Sequence, residues 1–307
     1  MTSYYGRPIL KEPVWQPEIA VYFFTGGLGG ASSVLSLAAR VSGNEALATR
    51  SIQIAAAADA VSPVLLIADL GRPERFLNML RVFKVTSPMS VGSWILAFSS
   101  AASSVSASLD TIRRHRRLSD LARTASAVSG APLAVYTATL ISDTAIPVWH
   151  EARRELPFLF GSSAVASAGA AAAIAVRPAQ AGPARRLAVG GVLAENAVFK
   201  LMEKRLGVEG EPYSQSEAGR YKTIAMACTL GGAALLARAG RKSRLAAVAG
   251  GALVLAGELG VRWSVFKAGF QSARDPKYTV VPQRERLTRQ ASGPRSRTAP
   301  GSGDGSV

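Results

Sequence analysis

Three acidic residues lie inside long apolar stretches of the chain. Asp59, Glu195 and Glu258 each fall near the middle of a run of about 20 mostly apolar residues. A charged side chain at the centre of a membrane helix costs about 2.5 to 3.5 kcal/mol, so these residues should be neutral, paired or next to a water-filled cavity. They can carry protons or join neighbouring helices by hydrogen bonds. We expect that at least one of them carries protons.

Three polar residues, Tyr136, Asp143 and His150, follow one another around the end of another apolar run. A phenol, a carboxyl group and an imidazole can donate hydrogen bonds to a carbonyl oxygen that gains charge on reduction, and they can pass protons to it. Simpler roles also fit the pattern. Tyr136 can anchor a helix at the membrane surface, Asp143 can cap the helix end, and His150 can be an ordinary loop residue.

The connector between two further apolar runs, residues 69–94, is rich in charged, proline and aromatic residues. It begins Asp69-Leu-Gly-Arg72-Pro-Glu74-Arg75-Phe and ends Ser87-Pro-Met-Ser-Val-Gly-Ser-Trp94. Pro73 and Glu74 suit the first turn of a helix, and Ser87-Pro88 suits the cap and first turn of the next one. Apolar residues recur at helical spacing in between. They predict an amphipathic helix near residues 73–84 that lies in the membrane interface.

Eight apolar segments must position these residues, and each is long enough, or nearly so, to cross a membrane as a helix. The segments cover residues 19–39, 46–69, 91–109, 122–142, 157–176, 187–199, 223–237 and 245–265. Their many small residues favour close helix packing, for example through Gly26 and Gly30. The pattern predicts an all-α, polytopic integral membrane protein with about eight transmembrane helices.

The distribution of basic residues predicts the orientation of these helices. Short loops on one side are basic and include Arg113-Arg-His-Arg-Arg117 and Arg241-Lys242. Short basic loops favour the cytoplasm, so both termini are predicted to lie outside the cell (inner) membrane. Residues 19–265 then form the transmembrane domain, and residues 1–18 and 266–290 form outer segments. Residues 291–307 lack an apolar pattern and are predicted to form a disordered tail.

The composition limits the classes of partner and cofactor. Hydrophobic residues make up 48% of the chain and charged residues 18%, which fits a membrane protein better than a soluble one. The formal net charge of +16 does not predict nucleic-acid binding, because the basic residues lie in short clusters between apolar runs. One cysteine and two histidines do not supply the ligands of an iron–sulfur cluster or a pair of haems, so we expect neither in this chain. The polar and aromatic N-terminal residues do not predict a cleavable signal.

The connector resembles the NrfD-like family, the membrane subunit of polysulfide-reductase-type molybdoenzymes. The glycine-rich first helix is also similar to this family. Three further similar segments are Tyr4-Tyr-Gly-Arg-Pro-Ile-Leu-Lys-Glu-Pro-Val-Trp15, Pro147-Val-Trp-His-Glu-Ala-Arg153 and Asp275-Pro-Lys-Tyr-Thr-Val. The resemblance implies two four-helix bundles and a quinone head group near Tyr136. It also implies contact with an iron–sulfur partner through four charged residues, namely Asp69, Arg72, Glu74 and Arg75. Alternatively, Asp69 and Arg72 simply pair with each other at the helix end.

We therefore expect a membrane anchor and electron-transfer subunit that binds a quinone, with menaquinone favoured, near the outer surface. Its expected partners are a four-cluster, ferredoxin-like iron–sulfur subunit, a molybdopterin catalytic subunit and membrane lipid. The candidate quinone residues are Tyr136, Asp143 and His150, and the candidate proton path consists of Asp59, Glu195 and Glu258. Two alternatives are a proton-coupled secondary transporter that uses the buried carboxylates and a passive membrane anchor.

Overall fold

The computed structural model describes residues 9–72 and 74–292, and the regular structure of this part is helical, without strands. The α-helices are α1 (Glu18–Val41), α2 (Glu45–Asp69), α3 (Glu74–Arg81), α4 (Pro88–Thr111), α5 (Arg116–Ser142), α6 (Pro147–Glu151), α7 (Leu156–Ala175), α8 (Gly182–Leu206), α9 (Ser216–Arg238), α10 (Arg244–Arg274) and α11 (Lys277–Ser292). The all-α prediction is confirmed. The predicted tail, residues 291–307, lies almost entirely outside the described residues, as do residues 1–8 and Pro73.

Eight of the described helices are 20 to 31 residues long, so each spans about 30 Å or more, the thickness of a bilayer core. Five of them, α1, α2, α5, α7 and α10, are also apolar enough to cross a membrane. The other three, α4, α8 and α9, contain more serine or more charged residues. The chain therefore has the helices of a membrane protein. The prediction of eight spans in two four-helix bundles stays a prediction.

The last three long helices extend beyond the apolar segments predicted for them. α10 is the largest case, because it continues to Arg274 while the predicted segment ends at Val265. Phe266 and Gly269 are part of the packed core, although Lys267 interrupts the apolar run at this point. A predicted span that follows only the apolar run therefore ends too early. Residues 266–290, predicted as one outer segment, are divided between α10 and α11.

Short connections make consecutive long helices antiparallel, so their ends define two faces of the molecule. We call the face with Glu18, Asp69 and Arg274 the N-terminal face, and the face with Val41 and Arg244 the opposite face. α1 packs along α2 and α5, and α4 packs along the same two helices. Among the later helices, α7 packs along α8 and α10, and α9 packs along α10. Because α1 also contacts α7 and α10, it joins the first four long helices to the last four.

Glycines on α1 allow this central helix to approach three neighbours. A Cβ atom at Gly30 would collide with the backbone of α5 at Gly130, and one at Gly29 would collide with the Asp59 carboxyl group of α2. A Cβ atom at Gly27 would lie 3.2 Å from the Arg262 guanidinium of α10. The predicted close packing through Gly30 is confirmed, whereas the prediction for Gly26 is wrong. The nearest atom to a Cβ at Gly26 belongs to Tyr22 of its own helix, at 3.7 Å, so no neighbouring helix approaches closely at this position.

Candidate functional site

A narrow cavity opens at the N-terminal face among the first five helices. It has room of about 40 Å³, enough for about three water molecules. Its walls combine aromatic, acidic and flexible apolar side chains. The lining residues are Trp15, Ile19, Tyr22, Leu66, Asp69, Leu70, Met79, Met89, Ser93, Tyr136 and Leu140.

Tyr136 projects from α5 into this cavity and is nearly buried. Gly92 of α4 makes room for it, because a Cβ atom at position 92 would overlap the Cζ and Oη atoms of the tyrosine. Among the residues that the structure describes, no hydrogen-bond partner of the Tyr136 hydroxyl is found. A buried phenol usually bonds to a polar partner. The Tyr136 hydroxyl is therefore free to donate to a molecule in the cavity.

Asp69 lines the same cavity at the last residue of α2. Its Oδ1 atom accepts a hydrogen bond of 2.7 Å from the backbone N–H of Gln16. The suggested pair between Asp69 and Arg72 is not among the ion pairs of the described residues. Gly71, with φ of 65°, turns the chain away after the helix end, and Arg72 is exposed. Asp69 thus lies with Tyr136, apart from the exposed side chains of Arg72, Glu74 and Arg75.

Asp143 and His150 lie at the same face but outside this cavity. Both residues are exposed, and neither belongs to the cavity lining. Between them, Trp149 is fully buried and its indole N–H donates to the Val265 carbonyl at 2.8 Å. Trp149 also stacks on Trp15, with 5.6 Å between ring centroids. The segment of residues 147–153 is therefore anchored to α10 through its tryptophan, and His150 points away from the cavity.

Asp59 is fully buried at the centre of the first four long helices. Its Oδ2 atom accepts hydrogen bonds from the hydroxyl groups of Ser99 and Ser103, at 3.1 and 2.9 Å. Its Oδ1 atom faces Gly29 and has no hydrogen-bond partner. Tyr22, whose side chain lines the cavity, lies near both Asp59 and Tyr136. Asp59 is thus placed beneath the cavity, near Tyr22.

The other two acidic residues form a second buried cluster with Arg262. The carboxyl groups of Glu195 on α8 and Glu258 on α10 are within hydrogen-bonding reach of each other, and the Ser163 hydroxyl donates to Glu258 at 2.5 Å. Arg262 interacts electrostatically with both acids. Its guanidinium group donates to the Phe160 carbonyl at 2.7 Å and lies 3.7 Å from the Phe160 ring centroid. Two acids thus share one base, so the cluster is electrically neutral when the acid pair holds one proton.

A broad groove of about 960 Å³ runs beside the cavity on the N-terminal face. It lies between the segment before α1, the start of α9 and the end of α10. Trp15 lines both the groove and the cavity and so forms the wall between them. At one side of the groove, Arg274 donates to Glu12 at 2.9 Å, and this hydrogen bond lowers the pKa of the Glu12 carboxyl. The N-terminal segment is therefore tied to the end of α10.

Comparison with known proteins identifies the group to which this arrangement belongs. The family model of polysulphide reductase NrfD matches residues 9–202, more than half of the chain. The chain belongs to the NrfD family. A comparison with curated proteins finds no match. The matched range contains the cavity, Asp59 and Glu195, whereas Glu258 and Arg262 lie beyond it.

Three site residues of this NrfD chain were missed by sequence reasoning. Tyr22 and Gly92 gave no signal, because each acts only through contact with residues on other helices. Arg262 gave a signal that was not used. It follows Glu258 by four residues, and an acid and a base at this spacing lie on the same face of a helix.

The fit between Gly92 and Tyr136 gives a testable prediction. The substitution Gly92→Ala places a methyl group where the phenol now lies, so Tyr136 must leave its position and the cavity changes shape. We expect quinone-linked turnover of the assembled complex to fall by about 10²-fold, the effect of a misplacement of roughly 1 Å in a reactive site. A matched control is Gly231→Ala on α9, where a Cβ atom meets open space. Similar losses from both substitutions would contradict the role of Gly92.

Proposed function

We propose that this NrfD chain is the quinone-binding, electron-transfer subunit of a membrane oxidoreductase complex, with menaquinone favoured. The observation that carries the proposal is the unpaired phenol of Tyr136, which lines a cavity beneath the connector at the N-terminal face. A bound quinone supplies paired electron and proton chemistry at its two carbonyl oxygens. Tyr136 donates a hydrogen bond to the carbonyl oxygen that becomes more basic on reduction, and such a donor is most effective where water is excluded.

Entry of a ring requires the cavity to widen. Its room of about 40 Å³ is too small for a quinone head group. Met79 on α3 and Met89 at the start of α4 belong to its lining, and both carry unbranched, flexible side chains that can rearrange. Met89 is also exposed on the molecular surface. We therefore place the entrance between α3 and the start of α4, with the ring held between these methionines and Tyr136.

Protons reach or leave the quinone through the carboxyl groups of this chain in the proposed mechanism. Asp69 lies in the cavity and can exchange a proton with bound molecules at the N-terminal face. Asp59, which lies near Tyr22, is the next carboxyl group inward. Glu195 and Glu258 hold a proton between them beside Arg262, in the last four long helices. The two clusters thus offer separate proton-binding groups at membrane depth, as a proton path requires.

The partners follow from the family and from the exposed charges at the N-terminal face. Members of the NrfD family act with iron–sulfur and molybdopterin subunits, which we propose here as a four-cluster, ferredoxin-like protein and a catalytic subunit. Arg72, Glu74 and Arg75 are exposed beside the cavity and can guide the iron–sulfur subunit to it. The segment before α1 and the end of α10 lie on this face, and the short basic loops lie on the other, so we propose that this face is outside the cell membrane.

Photolabelling tests the proposed quinone site. The assembled complex is illuminated with a short-chain azidoquinone, and labelled peptides are mapped by mass spectrometry. We expect labels near Tyr22, Met89 and Tyr136, and we expect them to decrease when unlabelled quinone competes. Labels confined to Phe266 and Phe270 in the groove would move the site, and the absence of competed label would contradict quinone binding by this chain.

Charge reversal tests the proposed docking surface. Arg72→Glu and Arg75→Glu should weaken binding of the iron–sulfur subunit, and the difference from wild type should be largest at low salt and shrink as the salt concentration rises, because salt screens exposed charges. Binding is measured by co-purification across a salt series. Arg117→Glu, an exposed arginine near the opposite face, is the control and should leave binding unchanged. Unaltered salt tolerance in correctly inserted Arg72 and Arg75 variants would show that these charges do not dock the partner.

A further inference from the structure

The opposite face carries a polar pocket that the proposed quinone chemistry does not use. The pocket has a volume of about 540 Å³ and lies between the start of α2, the end of α4 and the end of α7. Asp110 of α4 lines it, yet the Asp110 side chain is only 17% exposed. Water in the pocket therefore reaches this carboxyl group from one side, while the other side of the carboxyl group faces the protein interior.

Asp110 is the outermost member of a polar stripe on α4. Ser99, Ser103 and Ser106 precede it at intervals of four, three and four residues, which places all four on one helix face over about 16 Å. The three serines are fully buried. A buried hydroxyl group on every turn is not needed to fill space, because alanine packs helices equally closely. The stripe instead provides groups that can donate and accept hydrogen bonds in sequence.

Hydrogen bonds occupy both ends of this stripe. At the inner end, Ser99 and Ser103 donate to Asp59. At the outer end, the hydroxyl groups of Ser106 and Ser119 are 3.3 Å apart, and Ser119 donates to Asp110 at 2.5 Å. The stripe therefore leads from a carboxyl group beside the pocket to a carboxyl group at the centre of the first four long helices.

Unpaired hydroxyl groups lie in the same helices. Ser32 on α1 and Ser51 on α2 are buried, and their hydroxyl oxygens have no hydrogen-bond partner among the described residues. Ser51 precedes Asp59 by eight residues and so lies about 12 Å nearer to the opposite face. Buried hydroxyl groups of this kind usually bond to ordered water. Water bound at Ser51 lies near the outer end of the stripe, because Thr49 of the same helix is 3.4 Å from Asp110. No hydrogen bond joins Ser106 to Ser103 among the described residues, so that step of a route needs bound water.

Polar side chains also lie between Asp59 and the cavity. Ser62, three residues further on α2, has its hydroxyl group 2.9 Å from the Ala58 carbonyl and 2.8 Å from the Thr25 hydroxyl. The Thr25 hydroxyl is 3.4 Å from the backbone carbonyl of Tyr22, whose side chain lines the cavity beside Tyr136. Polar groups therefore occur at intervals from the pocket on the opposite face to the cavity on the N-terminal face, and a proton route along them needs water where no hydrogen bond joins them.

Basic residues outnumber acidic residues around Asp110. The buried guanidinium group of Arg123 pairs with Asp110 and also donates to the Ser36 hydroxyl and, at 2.9 Å, to the Ala48 carbonyl. Four other charged residues line the pocket with Asp110. They are Glu45 and Arg50 on α2, Arg113 after α4 and Arg177 after α7. Arg123 holds the carboxyl group in position and compensates its charge. A structural ion pair alone would need neither the pocket nor the hydroxyl groups that lead inward.

We propose that Asp110 is the entry of a proton route from the opposite face, which runs along the α4 stripe to Asp59 and on to the cavity of Tyr22 and Tyr136. This inference rests on the proposed quinone function. Reduction of a quinone to a quinol takes two electrons from the iron–sulfur partner and two protons, and oxidation releases both. In the reducing direction, Asp110 binds a proton from pocket water and passes it to the hydrogen-bonded groups above it. Because electrons and protons then arrive from different faces, turnover moves charge across the membrane.

The test uses the complete complex reconstituted in liposomes with a short-chain quinone. A pH dye in the compartment that faces Asp110 reports proton exchange, and a voltage-sensitive dye reports membrane potential. For Asp110→Asn we expect both signals and quinone-linked turnover to fall by about 10²-fold, the lower end of the contribution of a positioned proton-transfer group. Asp110→Glu should restore much of the activity, because it restores the carboxyl group. Electron transfer between the partner subunits and an artificial acceptor should not change.

Two further variants separate a proton route from a structural ion pair. Asp120→Asn, at the same face, removes the carboxylate that pairs with Arg40 and should leave proton exchange unchanged. Ser106→Ala keeps the Asp110 and Arg123 pair and should still slow proton exchange, which tests the route if Asp110→Asn does not assemble.

Three results would overturn the inference. The first is wild-type proton exchange in assembled Asp110→Asn and Ser106→Ala complexes. The second is a wild-type complex that turns over quinone but exchanges the quinone protons at the N-terminal face. This result would leave the proposed function intact. The third is turnover that requires sodium ions and is independent of proton exchange. The absence of any quinone-linked turnover in the wild-type complex would overturn the proposed function and this inference together.

Discussion

Replacement of Tyr136 by phenylalanine is expected to reduce quinone-linked turnover of the assembled complex by about 10² to 10³-fold, the effect of removing one preorganised hydrogen-bond donor. The substitution keeps the ring, which fills the space above Gly92, and removes only the hydroxyl group. Folding should therefore survive. Turnover is measured twice with the same preparation, once with quinone and once with an artificial acceptor at the partner subunits, and only the first rate should fall.

A second buried phenol provides the matched control for Tyr136. Tyr213 is fully buried, its hydroxyl group has no hydrogen-bond partner among the described residues, and it packs edge-on against Phe199. It does not line the cavity. Tyr213→Phe should therefore leave both rates unchanged. Equal rates with both acceptors in Tyr136→Phe and wild type would eliminate Tyr136 as the donor, and Tyr22, Asp143 and His150 would then be examined in turn.

The largest effect on stability is expected for Arg262. Arg262→Met keeps an unbranched, flexible side chain but removes the buried positive charge that interacts with Glu195 and Glu258. Breaking a buried ion cluster by removing one partner costs about 3 to 5 kcal/mol, because the remaining charges lose their compensation in a medium of low dielectric constant. We expect a lower unfolding temperature in detergent and a smaller amount of inserted protein.

Double substitutions show whether the loss comes from charge. In the Arg262→Met background, Glu258→Gln removes one of the two acids, so part of the lost stability should return. Arg238→Met, at the exposed end of α9, should change stability by less than about 0.5 kcal/mol. If Arg262→Met is as stable as Arg238→Met, the guanidinium group does not compensate the acid pair. If Glu258→Gln restores nothing, the loss comes from packing against Phe160 rather than from charge.

Local sequence patterns were sufficient to predict the helical class, the positions of the long helices and several of their ends. Ser87 caps α4, with Pro88 in the first turn, as the local pattern predicted. Such signals act between residues a few positions apart, where helix geometry alone sets the contacts. Asp59, Glu195 and Glu258 were also recognised, because an acid in an apolar run is conspicuous without knowledge of its neighbours. Family membership was recognisable from the connector for the same reason, since its motif is continuous in the chain.

Which of these residues act together depends on packing between helices and could not be predicted from the sequence. Gly92 and Tyr136 are 44 residues apart and Glu195 and Arg262 are 67 residues apart in the sequence, and no local pattern joins them. Their contacts depend on which face each helix turns toward its neighbours, and small residues such as Gly27, Gly29 and Gly30 set that choice by permitting close approach. For the same reason Asp69 lies at the cavity while Arg72 lies outside it, although they are only three positions apart in the chain. Helix propensity and apolar length are local properties, whereas the partners of a buried polar group are set by packing between helices.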